Sequence, residues 1–176
     1  ATWTAIASPY HVIGTVTVPS GNTLTIEPGV DVLFDADVQF VVGGVLDAIG
    51  TEVDSIRFIL GTAPAWKGMR FLTSDSSTVS YTRFSGGDLR TVDLSGEESL
   101  GGALNITGPT ARLRLDHSVI ENCIAYGGGA VYVNDGKLYA NDCRFSSDST
   151  TAAAGAIYIN NGGTAAFVRC DFDRNT

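Results

Sequence analysis

Three features of this chain predict an all-β fold wound as a parallel β-helix: two short motifs that return at one shared interval, hydrophobic alternation that lasts only a strand's length, and a composition suited to turns. Its 176 residues include 21 glycines, five prolines and a single methionine. Val, Ile, Thr and aromatic residues are frequent among them, a mixture that favours short strands separated by turns over helices. Hydrophobic residues make up 44% of the chain, enough for one continuous core, so a single domain over residues 1–176 is expected. Nineteen acidic against eleven basic residues leave a net charge of −8, the wrong sign for a nucleic-acid or anionic-lipid binder. The longest apolar run, around Val38 to Val45, is broken by Gln39, Gly43 and Gly44. It falls short of the ~20 residues of a membrane-spanning helix, so no membrane insertion by this segment is expected.

The shared interval is the strongest of these signals. Gly101-Gly102-Ala103-Leu104 returns as Gly128-Gly129-Ala130-Val131 and as Ala154-Gly155-Ala156-Ile157, so the central alanines recur at a nearly constant step. A second motif keeps time with it. Leu113-x-Leu115, Leu138-x-Ala140 and Ala165-x-Phe167 are followed by Ser118-x-Ile120, Cys143-x-Phe145 and Cys170-x-Phe172. Two motifs in phase identify a solenoid repeat. Within a repeat, apolar and polar residues alternate for three to five positions before a turn intervenes, which is strand periodicity. One coil cannot bury its own apolar face, but stacked coils pair each strand with its equivalents at ~4.8 Å. At about 25 residues per coil the chain makes roughly six or seven coils. Ala103, Ala130 and Ala156 should then form one column, Ile120, Phe145 and Phe172 another, and Cys143 should stack on Cys170.

Positions 1–84 have the same texture. Thr23-Leu24-Thr25-Ile26 leads through Pro28-Gly29 into Val30-x-Val32-x-Phe34, and Leu46-x-Ala48 leads through Gly50-Thr51 into Ile56-x-Phe58. The spacing aligns Val32 with Ile56 and Phe34 with Phe58. Trp66–Phe71 and Val79-x-Tyr81-x-x-Phe84 continue the stack, and Trp3 and Tyr10 are placed to cap the first coil. Positions 85–100 exceed the period by about ten. They carry Asp88, Arg90, Asp93, Glu97 and Glu98 and read as a protruding loop, the favoured place for specialised function. Positions 101–176 are the regular repeat coils.

The opening coils carry a recognisable pattern: Ser8-Pro9-Tyr10, Val16-Thr17-Val18-Pro19-x-Gly21-x-Thr23-Leu24-Thr25-Ile26-Glu27-Pro28-Gly29-Val30, Gly44-Val45-Leu46-x-Ala48-x-Gly50-Thr51 and Trp66-Lys67-Gly68. This resembles extracellular bacterial right-handed β-helix proteins of the pectate-lyase-like superfamily. The Gly-Gly-Ala repeats and Phe172-Asp173-Arg174-Asn175 resemble the GGA[ILV] and FxxN repeats of chlamydial polymorphic outer-membrane proteins and related adhesin-like surface proteins. One repeat departs from the pattern, since Phe145-Ser146-Ser147-Asp148 has Asp in place of Asn. The resemblance implies a right-handed coil and an extracellular or cell-surface location more than any activity, because this architecture carries lyases, hydrolases, adhesins and passive filaments alike. It also implies a longer natural protein, as the FxxN motif normally leads into another Gly-Gly-Ala turn.

Hydrolysis of a polysaccharide needs two carboxylates across the scissile bond, and lyase chemistry needs a base beside a calcium-binding acidic cluster. The available carboxylate groups are Asp31 with Asp35 and Asp37, Asp171 with Asp173, and Glu97 with Glu98. Each reads more simply as solvated turn or strand-face residues. Arg112, Arg114 and His117, with Asp116, form the one mixed polar group on a single strand and turn, a candidate ligand strip. His11 and His117 lie too far apart in the repeat for a two-histidine metal site, and neither a nucleophile elbow nor a phosphate loop is present. No cofactor is expected. Calcium at the acidic turns lacks its D-x-D-x-D-G loop. Cys123, Cys143 and Cys170 are an odd set, read as buried thiols, although stacked Cys143 and Cys170 would be close enough for a disulfide. Asn105-Ile106-Thr107 is a possible glycosylation tripeptide, relevant only to eukaryotic export.

The expectation is therefore a noncatalytic extracellular or cell-surface structural or adhesin module, a rigid rod able to associate head to tail with other copies or with other surface proteins. The alternative is a polysaccharide-binding or polysaccharide-degrading β-helix.

Overall fold

The computed structural model describes residues 1–72, 76–90 and 96–176. It is a parallel β-solenoid of three walls. Wall A contains seven strands, from Thr2–Trp3 through Thr23–Ile26, Val45–Ile49, Ser76–Ser80, Arg112–Asp116 and Lys137–Asn141 to Thr164–Val168. Wall B contains seven, from Tyr10–Val12 through Asp31–Phe34, Ile56–Leu60, Thr82–Ser85, Val119–Glu121 and Arg144–Ser146 to Asp171–Asp173. Wall C contains six, from Val16–Val18 through Phe40–Val42, Met69–Phe71, Leu104–Thr107 and Val131–Asn134 to Ile157–Asn160. A short fourth wall, Ile124–Gly127 paired with Ser149–Ala153, lies between walls B and C in the later coils.

Inward residues stack like on like. Val79, Leu115, Ala140 and Phe167 form one column, and Val32, Phe58, Phe84, Ile120, Phe145 and Phe172 another. Phe58 and Phe84 lie face to face with ring centroids 5.1 Å apart, and the buried Trp66 stacks on Phe34 at 4.2 Å while its indole N–H donates to the Ser85 carbonyl. Offset aromatic stacking adds to the burial of these large rings. At the N-terminal end Trp3 stacks on Tyr10 at 4.7 Å and meets Phe40 edge-on, as a cap would.

One expected register is corrected. Val32 pairs with Phe58 and Phe34 with Leu60, so the coil step here is two positions longer than the spacing suggests, and Ile56 stands one inward pair earlier, beside Val30. A slip by two returns every side chain to the same face, so alternation cannot detect it.

The Gly-Gly-Ala motif has a physical cause at each position. Gly128 has φ +62°, which glycine adopts without a Cβ penalty. At Gly129 a Cβ would stand 2.5 Å from the Gly155 carbonyl oxygen, and at Gly102 it would stand 2.2 Å from that of Gly129, so these positions have no room for a side chain. The alanines then hydrogen-bond in a column, Ala103 N–H to the Ala130 carbonyl and Ala130 N–H to that of Ala156.

Candidate functional site

The outer faces differ in how their charges are paired. On wall B, opposite charges meet across successive coils: Arg57 with Asp31, Arg83 with Glu121, and Arg144 with Asp173 at 3.1 Å. Several other carboxylates considered as catalytic pairs are also engaged. Asp35 accepts from the Thr62 N–H at 2.9 Å and contacts His11 at 2.7 Å, contacts that hold its carboxyl below the ordinary value. Asp37 lies 3.9 Å from Lys67, and Asp171 lies 3.7 Å from Arg144.

Wall A differs in its later coils. Arg112 stands directly opposite Lys137, and Arg114 directly opposite Tyr139. Strand alternation turns all four outward, because Leu113 and Leu138 between them are buried. The Arg112 guanidinium donates to the Pro109 and Ala111 carbonyls, both at 3.3 Å, and among the described residues neither Arg112 nor Lys137 has an acidic partner. Like charges directly opposite each other destabilise a sheet; wall B also places Arg57 opposite Arg83, but there each arginine has its own carboxylate, Asp31 and Glu121. Arg114 is held by Asp116 at 2.5 Å and lies over the Tyr139 ring, 5.3 Å from its centroid. Together with Ser76 and Thr164 these residues line an open cleft of about 380 Å³. Beyond the far end of the same strand lies a left-handed corner, separate from this cleft, in which His117 stacks on Tyr81 at 4.7 Å and lies 3.5 Å from Asp142. Arg169 binds the same Asp142 at 2.6 Å and lowers its carboxyl.

The residues expected in the protruding loop are distributed differently. Asp88 and Leu89 belong to the coil wall: Asp88 N–H donates to the Trp66 carbonyl, Leu89 N–H to that of Ile124, and Leu89 is buried. Partial burial raises the Asp88 carboxyl, but the side chain and N–H of Arg90, at 2.5 to 3.1 Å, more than offset this and keep it low. Glu98 bridges to Arg70 at 2.9 Å, and the Leu100 carbonyl accepts from the Asn105 amide, so this end of the insertion rests on wall C. Asp93 and the Glu97 side chain lie outside the described residues. Asn105 itself is buried, which leaves the glycosylation tripeptide inaccessible.

A second cleft, of about 500 Å³, opens between this end of the insertion and the later coils, lined by Tyr126, Tyr132, Tyr158, Ser99 and Asn160. Its tyrosines, like Lys137 and Tyr139, escape a linear reading. The available signal was the coil interval: Arg112 and Arg114 stand one coil step before Lys137 and Tyr139, and Tyr132 stands one step before Tyr158. The cysteines are free thiols, with Cys143 and Cys170 donating to backbone carbonyls. Burial pushes the Cys143 thiol up to about 12, an unreactive value.

Among the described residues no three His, Cys, Asp or Glu side chains are grouped to hold a metal ion. Among the described residues no helix is long and apolar enough to cross a membrane. Compared with protein-family models, curated proteins and solved structures, the chain matches none.

Proposed function

We propose that this chain is a noncatalytic extracellular or cell-surface module, a rigid rod of the adhesin kind whose outer walls meet partners. The observation that carries the reading is the pairing of the acidic residues. Asp31, Asp35, Asp37, Asp88, Glu98, Glu121 and Asp173 each engage a basic side chain, mostly across one coil step. Carboxylates held in such ladders brace a wall. A hydrolase needs two of them free and facing across a cleft.

A specific observation favours carbohydrate binding as the form this adhesion takes. Among the described residues Arg112 and Lys137 have no acidic partner, and they stand beside the half-exposed Tyr139. A carboxylated or sulfated sugar would relieve their repulsion, and the tyrosine face would take the apolar side of a ring. An array of acidic and neutral oligosaccharides tests this, accompanied by a reducing-sugar assay. Acidic glycans should be retained without turnover, and retention should weaken as salt is raised. Lys137→Ala should cost about tenfold in binding. It should leave the melting temperature unchanged or about a degree higher, because a like-charge contact is removed. Turnover of any polysaccharide would replace this reading with the enzymatic one. Binding unaffected by Lys137→Ala would remove wall A from it.

A further inference from the structure

The Asp in place of Asn at position 148 has a structural consequence. The pairing of Ile120, Phe145 and Phe172 puts Cys123, Asp148 and Asn175 at one level of three successive coils. Asn175 uses both ends of its amide. Its Oδ1 accepts from the Asp148 N–H at 2.9 Å, and its Nδ2 donates to the Phe145 carbonyl at 2.9 Å. Asp148 repeats the first half of this pattern, its Oδ1 accepting from the Cys123 N–H at 2.9 Å. The second half requires a donor, which an ionised carboxylate lacks. Asp148 Oδ2 is buried without a hydrogen-bond partner, and the acceptor equivalent to the Phe145 carbonyl one coil earlier is that of Ile120.

We infer that Asp148 is a pH-sensitive strut: protonated, it donates to the preceding coil as the amide of Asn175 does, and ionised, it leaves a buried charge that loosens the stack at this level. Charge around it is sparse. Glu121 on the preceding coil is bridged to Arg83, and Asp88 is bound to Arg90. Asp173 and Arg174 on the following coil pair with each other, and Arg144 also binds Asp173. The Cys123 thiol is raised by burial and stays neutral. Among the described residues no cation forms an ion pair with Asp148. Burial is the main force raising its carboxyl to about 7; the Cys123 N–H opposes it and Glu121 adds to it.

The sign follows from proton linkage. An unfolded aspartate ionises near pH 4, whereas the folded chain keeps this proton to about pH 7, so the folded state holds the extra proton between those values. Stability from this site is full below about pH 4, declines as pH rises, and is gone above about pH 7.

Urea denaturation of the wild-type chain and Asp148→Asn between pH 4.5 and 8 tests the inference. Asparagine already fits the equivalent position in the next coil, so this variant folds. The ratio of its folding constant to that of wild type should rise about tenfold per pH unit up to about pH 7 and then level off. A local readout accompanies it in a background carrying Cys143→Ala and Cys170→Ala. At pH 8 the buried Cys123 should be alkylated more slowly when Asp148 is replaced by Asn. A pH-independent ratio, or equal alkylation of Cys123 in the two chains at pH 8, would overturn the inference. So would a carbon-13 titration of the Asp148 carboxyl with its midpoint near 4.

Discussion

Gly102→Ala should lower the stability of the chain by about 3 kcal/mol or more, a fall of roughly 6–12 °C in melting temperature for a domain of this size. The new methyl would stand 2.2 Å from the Gly129 carbonyl oxygen and 2.9 Å from the Ile124 nitrogen. Neither atom belongs to a flexible side chain. The Ile124 N–H donates to the Gly87 carbonyl in the ladder that joins coils, and the Gly129 carbonyl adjoins that of Gly128, which accepts from the Gly102 N–H. Relief of the clash must separate the coils and lengthen those bonds. Gly14→Ala is the control, because no atom lies within 4 Å of its added Cβ. It should change stability by less than about 0.5 kcal/mol. Thermal melts of the two variants against wild type make the measurement.

Phe84→Ala should cost about 3–5 kcal/mol, the range for truncating a buried aromatic residue. Phe84 is 0% exposed, stacks on Phe58, and is paired with Phe58 on one side and Ile120 on the other. Phe172 provides the comparison within the same column. It stacks on Phe145 at 4.9 Å but is 46% exposed in this chain, so Phe172→Ala should cost less than half as much. Urea unfolding followed by the fluorescence of the buried Trp66 reads both. Equal costs would mean that depth within the stack does not set the contribution of a coil.

The architecture is legible where repeats carry their own landmarks. Ala103, Ala130 and Ala156 align because steric exclusion at the preceding glycines forces the same letters into each coil. The earlier coils lack those letters. Ile56 and Phe58 are equally apolar and point the same way, so nothing in the pattern tells which of them meets Val32, and only an exact count of the connecting turn residues gives Phe58. In the insertion, Leu89 stands between Asp88 and Arg90 and gives no sign that it, among the apolar residues there, returns to the core.

The candidate site is half legible. Arg112, Arg114 and His117 share a strand and turn and are seen at once, whereas Lys137 and Tyr139 join them only when residues one coil apart are laid side by side. Asp148 is visible as a departure from its motif. Its consequence is hidden, because it depends on which atom of the preceding coil the missing amide would have met. Function lies furthest from the sequence, since the stacking that dictates these residues is indifferent to what the outer walls bind.

Coils that stack in register fix the distances along wall A, which can be measured directly. Thr25, Asp47, Thr78, Arg114, Tyr139 and Ala166 form one outward column by successive pairings. Spin labels at position 25 and at 114, 139 or 166, in a chain whose native cysteines are replaced by alanine, can be read by double electron–electron resonance. The expected separations between attachment points are ~14, ~19 and ~24 Å, three, four and five coil steps of ~4.8 Å. The increments from 114 to 139 and from 139 to 166 should be equal, although these segments differ in length and both are far shorter than the chain between positions 25 and 114. Separations that grow with chain length, or that fail to rise by one coil step per pair, would contradict the stacked solenoid.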